Sequence, residues 1–178
     1  MTARTIFLAF VALLVCQTIS LAADPAAPAT QPAKLRVGVY DSRAVAVAYV
    51  RSGAEGAKLK ELTRQRDDAK AKGDAKLVQQ IESQGQQLQT LRHLQGFSNA
   101  PIDDILAQIK DKLPQIAANA GVDVIVARTD YLSAGAQTVD VTDSIVALFN
   151  PDQNTQKILT GLRKHEPVPM LQVLSMKD

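Results

Sequence analysis

SGAEGAKLKELTRQRDDAKAKGDAKLVQQIESQGQQLQTLRHLQ, residues 52–95, decides the fold. Its first half sets Ala54, Leu59, Leu62 and Ala69 in a dense field of Lys, Arg, Asp and Glu. Its second half spaces Leu77, Ile81, Leu88 and Leu91 by four, seven and three residues. That is a period of about 3.5 to 3.6, one narrow apolar stripe on a polar helix. Lys72-Gly73-Asp74 divides the halves. A Gly can take the left-handed conformation that closes a helix, and an Asp can cap the next one by accepting backbone N–H bonds. The stretch is expected to form two helices with a sharp reversal, an antiparallel, coiled-coil-like hairpin. Helices of about 20 residues make an arm roughly 30 Å long. Two narrow stripes cover little apolar area, so the arm needs an anchor, which the rest of the chain must supply.

Before the arm, Arg4 and the apolar run Ile6 to Val15, followed by Ser20-Leu21-Ala22-Ala23, read as a cleavable secretory signal peptide over residues 1–23. Residues 24–34 are rich in Pro and Ala and read as a linker. Leu35 to Asp41 alternates around β-branched residues and is expected to be a strand, followed by a short helix from Ser42 to Val50. After the arm, Gly96 to Pro101 breaks the pattern. Ile102, Ile105, Leu106, Ile109, Leu113 and Ile116 then mark a helix that Pro114 should kink and Gly121 should end. Val122 to Ala127 is the clearest strand, with a shorter one at Thr138 to Val141 and a helix running to Phe149. These elements define an α+β domain over residues 35–150, a small β-body carrying the arm at 52–95. Residues 151–178 add a helix from about Asn154 to Lys164 and a loose tail, in which Met170 to Leu174 offers a weak edge strand. Val37, Val39, Val122, Val124, Ile125 and Val126 are the body-strand residues expected to serve self-association.

The chain of 178 residues has one cysteine, Cys16, inside the signal peptide, so disulfides cannot staple the exported protein. With a small core and a protruding arm, association between copies is the expected remedy. The formal net charge is +2, which argues against a basic nucleic-acid surface. No phosphate-binding Gly loop, Cys cluster or His pair at metal spacing is present. The expected protein is not an enzyme and uses no cofactor or metal. Two histidines, His93 and His165, stand alone in sequence. Asp103 and Asp104 sit where a helix dipole welcomes acids, and Asp41 sits where the turn after a strand wants a cap. An enzyme site would have to join Asp41 to the Phe97–Asp104 loop. The arm from Glu55 to Arg92 carries eight basic and six acidic residues, the mixture of a solvated helix surface. Leu59, Leu62, Leu77, Ile81, Leu88 and Leu91 are expected to pack inside the arm, with client contact as their second role.

The order signal peptide, strand, helix, helical hairpin, strand, short strand, helix resembles the Skp/OmpH family of periplasmic chaperones. The residues that carry the resemblance are Val37-Gly38-Val39-Tyr40-Asp41, Ile116-Ala117 through Gly121-Val122-Asp123-Val124-Ile125-Val126, and Val139 to Val146. The resemblance spans about Leu35 to Phe149. It implies a homotrimer, a shared β-body, and arms that surround unfolded outer-membrane or other envelope proteins without ATP. It also implies a periplasmic location; the charge balance leaves no nucleic-acid partner expected, and membrane contact is open to the fold but not predicted. The alternative is a non-catalytic envelope adaptor that uses the same oligomeric scaffold to bind one folded partner. The arm is shorter than is usual in that family, and the chain is closer to neutral.

Overall fold

The computed structural model describes residues 34–175. The expected signal peptide and all but the last residue of the linker lie outside the described residues. The protein is α+β: eight α-helices and a three-stranded sheet occur among the described residues.

Strand β1 (Arg36–Val39) lies between β2 (Val124–Val126) and β3 (Gln137–Asp140). All pairings are parallel, with Val37 opposite Val124 and Thr138, and Val39 opposite Val126 and Asp140. The strand expected from Val122 to Ala127 is therefore shorter, and Val122 is not in it. The preceding helix explains this. Gly121 takes the left-handed conformation, φ 61°, and the Val122 N–H bonds back to the Ala117 carbonyl. Val122 is spent on closing the helix, and its side chain is buried over Gly38. A Cβ at Gly38 would stand 3.1 Å from Val122 and 3.2 Å from Ile125, tight contacts that favour glycine here.

Helix α1 (Ser42–Val50) is the hub. Ala44, Val45, Ala46, Ala48 and Tyr49 are all buried, on nearly every side of the helix. A helix apolar all round must be enclosed, and the helices that α1 packs against include α3 (Ala75–Phe97), α6 (Thr142–Val146) and α7 (Gln153–Leu162). Its start is capped by Asp41, as the turn after the strand calls for: the Asp41 carboxylate accepts from the N–H groups of Arg43 and Ala44. Around α1 the core takes Ile105 and Ile109 from α4 (Asp103–Ile109), Ile116 from α5 (Leu113–Ala120), Ile145 from α6 and Leu159 from α7.

Two expectations change. Pro114 does not kink one helix; it starts a second. The ladder stops at Ile109, and Pro114 stands in the first turn of α5, where its missing N–H costs nothing. Met170 to Leu174 is not a strand but most of a short helix, α8 (Met170–Ser175). The Pro169 carbonyl accepts from the Gln172 and Val173 N–H groups, and Val173 is buried. The segment before α8 is tied down as well: the Val168 N–H donates to the Phe97 carbonyl at 2.8 Å, and Arg43 donates to the His165 carbonyl at 2.9 Å.

Candidate functional surface

The Ser52–Gln95 stretch forms α2 (Gly53–Ala71) and nearly all of α3. Gly73 has φ 69°, and Asp74 accepts from the Leu77 N–H at 3.0 Å, as the turn chemistry demands. On α3 the covered positions include Val78, Ile81, Gly85, Leu88, Arg92 and Gln95, spaced alternately by three and four. On α2 they include Glu55, Leu62, Arg66 and Ala69. An alternation of three and four is the 3.5 period of a coiled-coil seam. Lys70 meets Glu82 at 3.4 Å across the pair, with both side chains half exposed. Such a pair contributes about 0–1 kcal/mol.

The seam does not use all the residues expected in it. Ile81 is buried and Leu62 and Leu88 are half-buried, but Leu59, Leu77 and Leu91 are exposed, at 46%, 41% and 37%. For Leu77 and Leu91 the reason is register. The seam on α3 runs one residue later, through Val78 and Arg92, which turns the two leucines about 100° outward. The arm thus carries three exposed leucines on a surface rich in Lys, Arg, Gln, Asp and Glu, with Phe97 also exposed at the end of α3.

The foot of the arm is held by a buried polar cluster absent from the sequence-based expectations. Glu55 is 1% exposed, Arg92 8% and Gln95 1%. Arg92 donates through Nε to Glu55 at 2.8 Å, and through Nη1 to Gln95 Oε1 at 2.6 Å and Asp104 Oδ2 at 2.7 Å. Gln95 Nε2 donates to Asp104 Oδ1 at 2.8 Å and to the Pro101 carbonyl at 2.9 Å. The Arg92 guanidinium lies 5.0 Å from the centre of the Tyr49 ring, and Gln108 donates to the Tyr49 hydroxyl at 2.9 Å. Tyr49 in turn meets Phe149 edge-on at 5.7 Å. Thus α2, α3, the 98–103 loop, α4 and α1 are tied by one network. Burial opposes the charge on Glu55, but hydrogen bonds from Arg92 and Tyr49 and the nearby cations outweigh it and hold its carboxyl below the usual range. The same balance, with Arg92 and Gln95 as partners, lowers Asp104. A signal for the cluster was present: Arg92 and Gln95 continue the spacing of Ile81 and Leu88, and Glu55 sits about as far before Gly73 as Arg92 lies after it. Charges landing on an apolar phase imply partners.

In the body, Val37 and Val122 are buried, Val39, Ile125 and Val126 are half-buried, and Val124 is 39% exposed on an edge strand. Asp103 is exposed, and its neighbour Asp104 belongs to the cluster. His93 meets Phe97 edge-on at 5.7 Å. A groove of about 730 Å³ does join Asp41 to the 98–103 loop, the juxtaposition an enzyme site would have required. The Asp41 carboxylate is already engaged there, by its helix cap and by the Arg43 guanidinium at 2.9 Å. Among the described residues, no group of three or more His, Cys, Asp or Glu is placed to hold a metal, and no helix is long and apolar enough to cross a membrane. Comparison with protein-family models, curated proteins and solved structures gives no match for this chain.

Proposed function

We propose that the protein is an exported, ATP-independent holdase that keeps unfolded envelope proteins, outer-membrane proteins among them, from aggregating. In this reading α2 and α3 are an antiparallel, coiled-coil-like hairpin. The contacts that support it are Glu55 with Arg92 at the foot and Lys70 with Glu82 towards the Gly73 turn. The observation that carries the function is the arm's surface: Leu59, Leu77 and Leu91 stand exposed on a polar helix pair with a firmly bonded foot. Single leucines on a solvated surface give weak contacts, and several arms around one client would raise their effective concentration.

Several arms require several copies, and we propose a homotrimer built through the body. Its support is the sheet. With β1 in the centre, β2 and β3 are both edges, and Val124-Ile125-Val126 carries none of the charges or prolines that blunt an edge. Light scattering should give a mass of three chains; a single-chain mass would contradict the trimer.

The functional test dilutes an unfolded membrane-barrel protein from urea into buffer, without nucleotide. The wild-type protein should suppress light scattering at a stoichiometric ratio. A Leu59→Ser, Leu77→Ser, Leu91→Ser variant should lose most of that protection while melting within about 2 °C of wild type, because exposed substitutions rarely change stability much. Equal protection by both would remove the arm surface from the mechanism. No protection by either, with tight binding of one folded envelope partner, would favour the adaptor.

A further inference from the structure

The groove that joins Asp41 to the 98–103 loop opens beside the carboxyl ends of β1 and β2, and residues 167–170 form its far wall. Open parallel sheets take their ligands outside this end of the strands. Two buried hydroxyls in the wall set the groove apart. Tyr40 is 6% exposed and Ser98 2%, and both line it. Neither hydroxyl bonds to another group of the chain among the described residues. Among the described residues no fully enclosed side-chain nitrogen or oxygen lacks a partner, so each of these hydroxyls keeps some accessible surface, and both residues line the groove. Buried polar groups are nearly always paired, and the other buried polar groups nearby obey the rule: Tyr49 pairs with Gln108, Arg43 with Asp41, and Gln95 with Asp104.

The rest of the wall narrows the ligand's chemistry. Pro101, Ile102, Leu106, Val168, Pro169 and Met170 are apolar. The charges of Asp41 and Arg43 neutralise each other, and Asp103 and Arg128 add one charge of each sign. A ligand with a net charge therefore gains little. Hydroxyls can donate or accept, which matches the alternating N–H and C=O groups of an extended main chain. Burial, and then the charge of Asp103, raise the Tyr40 phenol above its ordinary value, so it remains a protonated donor at neutral pH. We infer that the groove is a peptide-binding site: a short extended segment bonds through its main chain to Tyr40 and Ser98 and lays an apolar side chain against Leu106 and Met170. This site lies on the body and does not depend on the proposed role of the arm.

The test titrates the full-length, isotopically labelled protein with the N-acetylated, C-amidated tetrapeptide Ala-Leu-Val-Ala and follows backbone amide signals. Saturable shifts should appear at 98–103, 127–128 and 167–170. Tyr40→Phe and Ser98→Ala should each weaken binding about three- to tenfold, the loss of one hydrogen bond. Each should also melt within about 2 °C of wild type, because the deleted hydroxyl has no partner in the chain. Replacing the peptide's leucine by aspartate should abolish measurable binding. Absence of saturable shifts, shifts confined to other surfaces, or unchanged affinity in both variants would overturn the site. A loss of more than about 5 °C in either variant would also overturn it, by showing that the hydroxyl has a structural role.

Discussion

Arg92→Met keeps the length of the side chain and removes its guanidinium, so it isolates the charge at the foot of the arm. Glu55, 1% exposed, would keep the Tyr49 hydroxyl as a hydrogen-bond partner and only Lys58 as a nearby cation, and Gln95 and Asp104 would lose the donor between them. Removing one partner of a buried ion pair costs about 3–5 kcal/mol, largely because the other charge is stranded. Asp104 is 43% exposed and can turn to solvent, which places the expectation at the lower end, about 3 kcal/mol. For a chain of this size each kcal/mol moves the melting temperature by about 2–4 °C, so the loss should be roughly 6–12 °C. Urea unfolding at pH 7, followed by circular dichroism at 222 nm, measures the free energy. The double variant Glu55→Leu, Arg92→Met supplies the control. It replaces the pair with apolar side chains and should recover most of the loss, since a buried pair is worth little against well-packed hydrophobic residues. A single variant within about 1 kcal/mol of wild type would show that the cluster does not hold the foot of the arm. A double variant no better than the single would show that packing around Arg92, and not a stranded Glu55, sets the cost.

Three further outcomes follow from the same geometry. The carboxyls of Glu55 and Asp104 have folded-state pKa values below their ordinary 4.5 and 3.8. Their stabilisation is therefore complete above those unfolded values and is lost as pH falls through the lowered folded ones. The melting temperature should stay level from pH 7 to about 5 and fall below about 4.5, and Glu55→Gln should flatten that fall. Gly73→Ala meets no atom within 4 Å but forces a side chain to φ 69°, so chemical denaturation should show a loss of about 1–2 kcal/mol, which Gly73→Asn should partly spare. Ile105→Ala empties a side chain that is 0% exposed at the centre of the core, and should cost about 2–5 kcal/mol in the same assay.

Local chemistry was the most legible part of the chain. Gly73, Asp74 and Gly121 act where their backbone preferences place them, and the two arm helices begin and end within two residues of the expected positions. What escaped depends on contacts distant in sequence. Leu77 and Leu91 satisfy a helical period as well as Val78 and Leu88 do. Only the partner helix decides which row is covered, and it selects the row that delivers Arg92 to Glu55. Asp104 is acceptable at a helix start for its charge alone, which hides its bonds to Arg92 and Gln95. Met170 to Leu174 is too short for a period to separate strand from helix; burial of Val173 and the Pro169 carbonyl settle it as a helix. Tyr40 and Asp41 follow one another at the end of β1, but only the fold brings them to the 98–103 loop and to residues 167–170.

The most direct test of the holdase reading is to find where an unfolded client touches the protein. A photo-crosslinking side chain placed at Leu59, Leu77 or Leu91, each exposed on the arm, is compared with one at Ile158, 40% exposed on α7. With an unfolded membrane-barrel protein diluted from urea, all three arm positions should capture the client without nucleotide, and Ile158 should capture little. Capture at Ile158 equal to or above that at the arm would contradict the account.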